Sequence, residues 1–355
     1  MGVPPRSQLE ISSDPNILTS AQKSSKGDFL ILCYTSLETV GVTLVKISMK
    51  GKILITDSFF IFPEHEKLLE DAGYEIERLN KPNASEEELI EVVQGKVGYI
   101  LGGIEKVTEK VIEAGSELKA IVFTGADAKA FIHGFDLATR KGIAIANTPG
   151  ANRFAVSEYT VALILAMVRN IFELGRTGKT QFQTTSSLND LTVGIVGMGN
   201  IGSRVAEILK SLGTKEVLYH SRAEKQGVVA KFVSLDELLE KSDVITLHAS
   251  KEAGDGFIGK EELSQMKDGA ILINCGFTGG VKKEALYQEL NSGRLRAAQD
   301  DPMDERFNDL PLFNWFNSNA HTAYNTHEAN RIASDMATQS ILNLLEKGED
   351  QYKMN

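Results

Sequence analysis

Only two cysteines, Cys33 and Cys275, occur in 355 residues. That is too few for a disulfide framework or a cysteine-built zinc site, and it fits a reducing, cytoplasmic setting. Nowhere do roughly 18 apolar residues run together, the length a membrane-spanning helix needs. The longest candidate, Val156 to Val168, is interrupted by Ser157, Glu158, Tyr159 and Thr160. The start of the sequence lacks a charged stretch leading into an apolar core and a small-residue cleavage site, so secretion is not expected. Arg6 stands where myristoylation would need Ser or Thr. Basic charge is short too: the formal net charge is -10, whereas a nucleic-acid partner favours a basic face.

What is present is ordinary for a globular chain, 42% apolar and 24% charged. At roughly 100–200 residues per domain, the length predicts two domains. Residues 1–48 stand apart, rich in Ser, Thr and Pro up to Gly27 and then apolar from Phe29 to Tyr34. They read as an N-terminal extension of unknown role. From Met49 the pattern becomes regular. Strand-type runs at 52–56, 74–79, 97–101, 120–123 and 143–146 alternate with helical stretches, one of which opens on Ser85 followed by Glu86, Glu87 and Glu88. Thr148-Pro149-Gly150 reads as a hinge, after which a second alternation places strands at 192–196, 216–219, 244–248, 270–274 and 297–299. Such alternation predicts an α/β fold of βαβ units with parallel sheets. A helix over 156–171 is apolar nearly all round and should be buried. A last helix over 328–345 carries Ile332, Met336, Ile341 and Leu345 at helical spacing.

The most specific motif is Gly197-Met198-Gly199-Asn200-Ile201-Gly202, preceded by the strand Thr192–Val196 and opening a helix. Its glycines permit a tight turn, close approach of a pyrophosphate and close helix–strand packing. The helix amino terminus offers free N–H groups and partial positive charge to phosphates. A lone GxGxxG is weak; with correct context on both sides it predicts a dinucleotide site at Gly197, Gly199, Asn200, Ile201 and Gly202. About 20 residues on, an NAD site would place an Asp or Glu on the ribose. Here the residues are His220, Ser221 and Arg222. Without a carboxylate to repel a 2′-phosphate, and with Arg222 to pair with one, NADP is expected ahead of NAD.

Further segments carry a family resemblance. Pro149-Gly150-Ala151-Asn152 with Ala155-Val156-Ser157-Glu158 resembles a PGxN–AVAE stretch. Ser242–His248 resembles SDVVSLH, and Met266–Asn274 resembles MKxGAxLIN. His321-Thr322-Ala323-Tyr324 with Thr326-His327 looks like the D-lactate dehydrogenase branch of the D-isomer-specific 2-hydroxyacid dehydrogenase family, and the likeness covers about residues 50–350. The resemblance implies two Rossmann-like lobes. A dinucleotide-binding lobe, 149–323, is inserted into a discontinuous, flavodoxin-like substrate lobe, 49–148 plus 324–355, and the protein is a homodimer. It also implies hydride transfer between a nicotinamide and a 2-keto or 2-hydroxy acid. In that reading His321 is the acid/base, Glu305 orients it from the last position of a DVxxxE pattern that begins at Asp300, and the turn amides around Gly125 and Ala126 meet the substrate carboxylate. His248, Ser250, Cys275, Gly276 and Asp300 contribute to the cofactor site. Histidine suits the proton role because its pKa lies near neutrality.

One expected residue is missing. The pattern NTARGG-V-DExAL aligns without gaps onto Asn274–Leu286, and its arginine, the grip on the substrate carboxylate, is Phe277. A phenyl ring donates no hydrogen bond, so reduction of simple 2-keto acids should be impaired by powers of ten. Three readings follow. The first is a reductase of a larger or apolar substrate, its polar end held by the 124–127 turn or Arg153. The second is a dinucleotide-binding sensor or scaffold without turnover. The third is a dehydrogenase that recruits another cation such as Lys282. Retention of His321 with Glu305 favours the first.

Overall fold

The computed structural model describes residues 18–23, 29–34, 49–56, 61–81, 83–177 and 183–355. The chain forms two compact units, residues 1–149 with 333–355 and residues 150–332.

In the first unit, β1 (Leu18–Lys23) and β2 (Phe29–Tyr34) pair antiparallel. The apolar run at Phe29 is thereby a strand, while most of the expected extension over 1–48 lies outside the described residues. Next come β3 (Gly51–Thr56), β4 (Tyr74–Leu79), β5 (Lys96–Leu101), β6 (Ala120–Phe123) and β7 (Ala144–Ala146), all parallel, in the order β4-β3-β5-β6-β7. This is the 2-1-3-4-5 order of flavodoxin-like sheets. The central strands are near-continuous apolar runs because helices cover both faces. The helix Glu86–Val92 begins at a reciprocal cap: the Ser85 hydroxyl accepts the Glu88 N–H at 3.3 Å and the Glu88 carboxylate accepts the Ser85 N–H at 2.8 Å.

The last helix, His327–Lys347, packs with Ala337, Ile341 and Leu344 against Ile53, Ile100 and Val122. The apolar stripe expected from sequence is only partly the buried one. Ile332 is exposed and Met336 half-buried, whereas Ala333, Ser334, Ala337, Thr338 and Ser340 are buried. Small side chains let the helix lie close to the sheet, with Ile341 and Leu345 over Gly98, where a Cβ would meet them at 3.3 and 3.1 Å.

The second unit holds β8 (Thr192–Val196), β9 (Glu216–His220), β10 (Lys231–Phe232), β11 (Val244–Leu247), β12 (Ile271–Asn274), β13 (Arg296–Gln299) and β14 (Trp315–Asn317). All are parallel, in the order β10-β9-β8-β11-β12-β13-β14, the dinucleotide-binding sequence of strands with one added at the edge. The short strands β10 and β14 carry too few residues to show in the sequence pattern. The helix Arg153–Val168 is buried nearly all round by the helix Asn200–Ser211 and by β12 and β13. Phe154 on this helix stays exposed. Among the described residues, no helix is long and apolar enough to cross a membrane, and no group of His, Cys, Asp and Glu could hold a metal.

Candidate active site

In the second unit, the carboxyl ends of β8, β9, β11, β12 and β13 deliver Gly197, His220, His248, Cys275 and Asp300 to one edge of the sheet, the edge at which such sheets bind ligands. Gly197 adopts φ +99°, open to glycine alone, and a Cβ there would stand 2.5 Å from the backbone N of Ala249. A Cβ at Gly202 would stand 2.1 Å from the Gly197 carbonyl oxygen. By contrast, nothing lies within 4 Å of a Cβ at Gly199, so there the backbone faces open space. The helix Asn200–Ser211 starts at Gly199 with no side chain capping it, which leaves the N–H groups of Asn200, Ile201 and Gly202 to an outside acceptor. Gly199, Asn200 and Ser203 line a cavity of about 530 Å³ together with Arg153, Arg204 and Lys225. An open, cationic, uncapped glycine turn is what a pyrophosphate requires, so these residues fit a dinucleotide.

Around the turn, the ring of His220 lies 6.3 Å from that of Phe232, nearly parallel, and its Nδ1 donates to the Val233 carbonyl at 3.1 Å. The Ser221 hydroxyl donates to the Ala223 carbonyl at 2.6 Å, so that proton is already used locally. Arg222 is exposed and has no ion pair among the described residues. His248 receives or gives one hydrogen bond, Nε2 to Thr246 Oγ1 at 3.0 Å, while its Nδ1 is shut off from solvent without a partner. Burial pushes its pKa down to about 4, so the ring is neutral near pH 7. Burial also pushes the Cys275 thiol up to about 12, against the Thr160 hydroxyl and with Asp300 and Asp301 adding to the effect. That thiol is protonated near pH 7. Gly276 donates its N–H to Asn274 Oδ1 at 3.1 Å, and Ser250 starts the short turn Lys251–Ala253.

Asp300 is buried and builds the next turn. Its carboxylate accepts the Ser318 hydroxyl at 2.8 Å and the N–H groups of Thr322 and Ala323 at 3.1 and 2.8 Å. These bonds accompany φ +54° at Asn319 and +45° at His321, a left-handed conformation uncommon outside glycine though least so for Asn and His. The imidazole Nδ1 of His321 is bonded to the carboxylate of Asp301. That bond is the leading cause of a raised His321 pKa, partial burial opposing it and the charges of Asp301 and Asp300 adding to it. Glu305, the partner implied by the resemblance, is exposed at the head of the turn Glu305–Asp309. It has no hydrogen bond or ion pair with His321 among the described residues.

Phe277 is half-buried, and its ring lies where a Cβ on Gly279 would come within 2.4 Å of it. The cations weighed as substitutes for an arginine go elsewhere. Lys282 runs along Gly256, and Arg153 lies over the Phe154 ring, 4.6 Å from its centre. In the first unit, the Gly125 carbonyl accepts the Thr148 N–H at 3.0 Å and the Ala126 carbonyl accepts Asn147 Nδ2 at 2.5 Å. Their own N–H groups have no acceptor among the described residues.

Residues 161–325 match the profile of the D-isomer specific 2-hydroxyacid dehydrogenase, NAD binding domain. The hydroxypyruvate reductase of Thermotoga maritima is 32% identical over 260 residues, 69% of this chain and 83% of that protein. The chain belongs to the D-isomer specific 2-hydroxyacid dehydrogenase family. The D-3-phosphoglycerate dehydrogenase of Methanocaldococcus jannaschii is 32% identical over 317 residues, 84% of this chain and 58% of its own length. The chain spans about half the length of the phosphoglycerate dehydrogenases it matches. Among solved structures, the TT0316 protein from Thermus thermophilus superposes with a TM-score of 0.74 at 29% identity, covering 86% of this chain and all of that one.

Within this family member, Asp301 is the residue that sequence reasoning missed. A signal was present: two acids stand together, Asp300-Asp301, where the pattern DVxxxE has an acid followed by an apolar residue.

Proposed function

We propose that the protein is a nicotinamide-dependent oxidoreductase that interconverts a 2-keto and a 2-hydroxy acid, or a related carbonyl compound, whose organic part is larger or more apolar than pyruvate. The observation that carries this is the imidazole of His321, held by a carboxylate on one nitrogen so that the other is left to exchange a proton. A bound nicotinamide would supply or take the hydride at the carbonyl carbon. His321 would give its Nε2 proton to the carbonyl oxygen in reduction and take one back in oxidation. Phe277 would pack on the substrate's apolar part. Arg222 supports NADP over NAD, being exposed and unpaired where an acid would exclude the phosphate. A homodimer and a cytoplasmic setting rest on the resemblance and the cysteine content respectively; sedimentation tests the first. Turnover of NADPH with a panel of 2-keto acids, against His321→Ala, tests the whole reading.

Phe277 favours a second reading, a dinucleotide sensor without turnover. It expects cofactor binding with no oxidation on any acid, and no change on altering His321.

A further inference from the structure

We propose that Asp301 is the positioning residue for His321 in this protein, in the role that family resemblance gives to Glu305; the proposal rests on the reductase reading. Asp301 sits two residues past β13, and its own position is fixed: the amide of buried Gln299 donates to its carbonyl oxygen at 3.0 Å. Its side chain is 17% exposed, so the carboxylate is held in a partly dry environment, where a charge acts on its neighbour more strongly than in water. The segment carrying Glu305 is tied elsewhere. Arg306 pairs with Glu284 at 2.6 Å and Lys283 with Asp304 at 3.5 Å. Phe307 is buried between the rings of Tyr287 and Trp315, at 5.3 and 5.2 Å. These contacts pin the turn to the helix Lys283–Asn291 and leave Glu305 in solvent.

The two adjacent acids therefore divide the work. Asp300 builds the left-handed turn that presents the ring, and Asp301 fixes the ring itself. With Nδ1–H given to Asp301, the tautomer is set and Nε2 is the nitrogen left for the substrate. The groups facing the ring are Asp301, Asp300 and the ring of Tyr324 at 5.1 Å. Both acids favour the protonated imidazole, the form needed to donate.

The test follows the ring titration of His321 by NMR in the full chain, assigned by comparison with His321→Ala, beside kinetics. Asp301→Asn keeps the carbonyl that Gln299 holds, removes the charge and lowers the His321 midpoint; Glu305→Gln leaves it where it was. In turnover, Asp301→Asn should lower kcat by on the order of 100-fold, with KM changed by less than about threefold. The pH at which reduction falls away should also drop, and the loss should exceed that of Glu305→Gln. Should Asp301→Asn not fold, Glu305→Gln decides alone: an unmoved midpoint supports the pairing, and a lowered one overturns it. A shift in Glu305→Gln as large as that in Asp301→Asn also overturns it. A wild type inert on every acid, with the Asp301→Asn shift present, upholds the pairing and sinks the reductase reading instead.

Discussion

The Cβ that any other residue would carry at position 202 falls 2.1 Å from the carbonyl oxygen of Gly197, so the first and third glycines of the turn fit only each other. The middle one, Gly199, is crowded by nothing. Packing and binding therefore separate by mutation. Gly202→Ala should destabilise the second unit by a few kcal/mol, roughly the size of a core overpacking. Gly199→Ala should leave the melting temperature nearly unchanged and still weaken NADPH binding tenfold or more. Calorimetric melting with dinucleotide titration reads both. A Gly199→Ala protein that binds as tightly as wild type would remove the glycine turn from the cofactor site.

The cofactor preference should rest on Arg222 more than on its neighbours, because Ser221 spends its hydroxyl proton on Ala223 and His220 spends Nδ1 on Val233. Arg222→Ala should weaken NADPH and spare NADH, and His220→Asp with Arg222→Ala should move the preference to NADH. Equal wild-type affinities for the two dinucleotides would contradict the assignment.

Asp300→Asn should be costly although it is nearly isosteric. The carboxylate accepts three hydrogen bonds in a buried turn, and an amide nitrogen would face a donor with another donor. About 1–3 kcal/mol of stability should be lost, seen as a lower denaturation midpoint. A variant as stable as wild type would show that the left-handed turn at His321 holds without it.

The pH dependence has a defined sign. His321 has a raised pKa in the folded chain, so its pairing stabilises the fold where the ring is protonated and loses that contribution as pH rises through the folded value. Reduction, which needs the protonated ring, should decline over the same interval, and oxidation should rise. His248 behaves oppositely: its pKa of about 4 lies below that of an unfolded histidine, about 6.5. Stability is therefore withdrawn as pH falls from about 6.5 to about 4. NMR should find the His248 ring neutral through that range, and a midpoint near the ordinary value would refute its burial.

Much of this was legible beforehand, for physical reasons. Buried parallel strands are continuous apolar runs, so β3, β5, β6, β8, β11 and β12 stood out, and the glycine motif announced the turn after β8. The edge strands β10 and β14 did not, because two or three residues cannot show a period. The last helix misled because its buried face is made of Ala, Ser and Thr, which carry little hydrophobic signal, while Ile332 points outward. The motif around His321 was readable as a likeness; that its ring meets Asp301 and not Glu305 was not, because the ion pairs at Asp304 and Arg306 that anchor the intervening turn do not show in spacing.

Phe277 stands where the family resemblance implies a carboxylate-gripping arginine, and the chain is nonetheless expected to reduce a carbonyl substrate through His321. One measurement reaches that expectation most directly: NADPH oxidation by wild type, His321→Ala and Phe277→Arg on a single panel of 2-keto acids graded from pyruvate to bulky apolar ones. The account expects wild-type turnover on bulky members with little on pyruvate, none with His321→Ala, and a gain on pyruvate with Phe277→Arg at the expense of the bulky acids. Wild-type turnover of pyruvate at a rate matching its best substrate, or no turnover on any member, would contradict it.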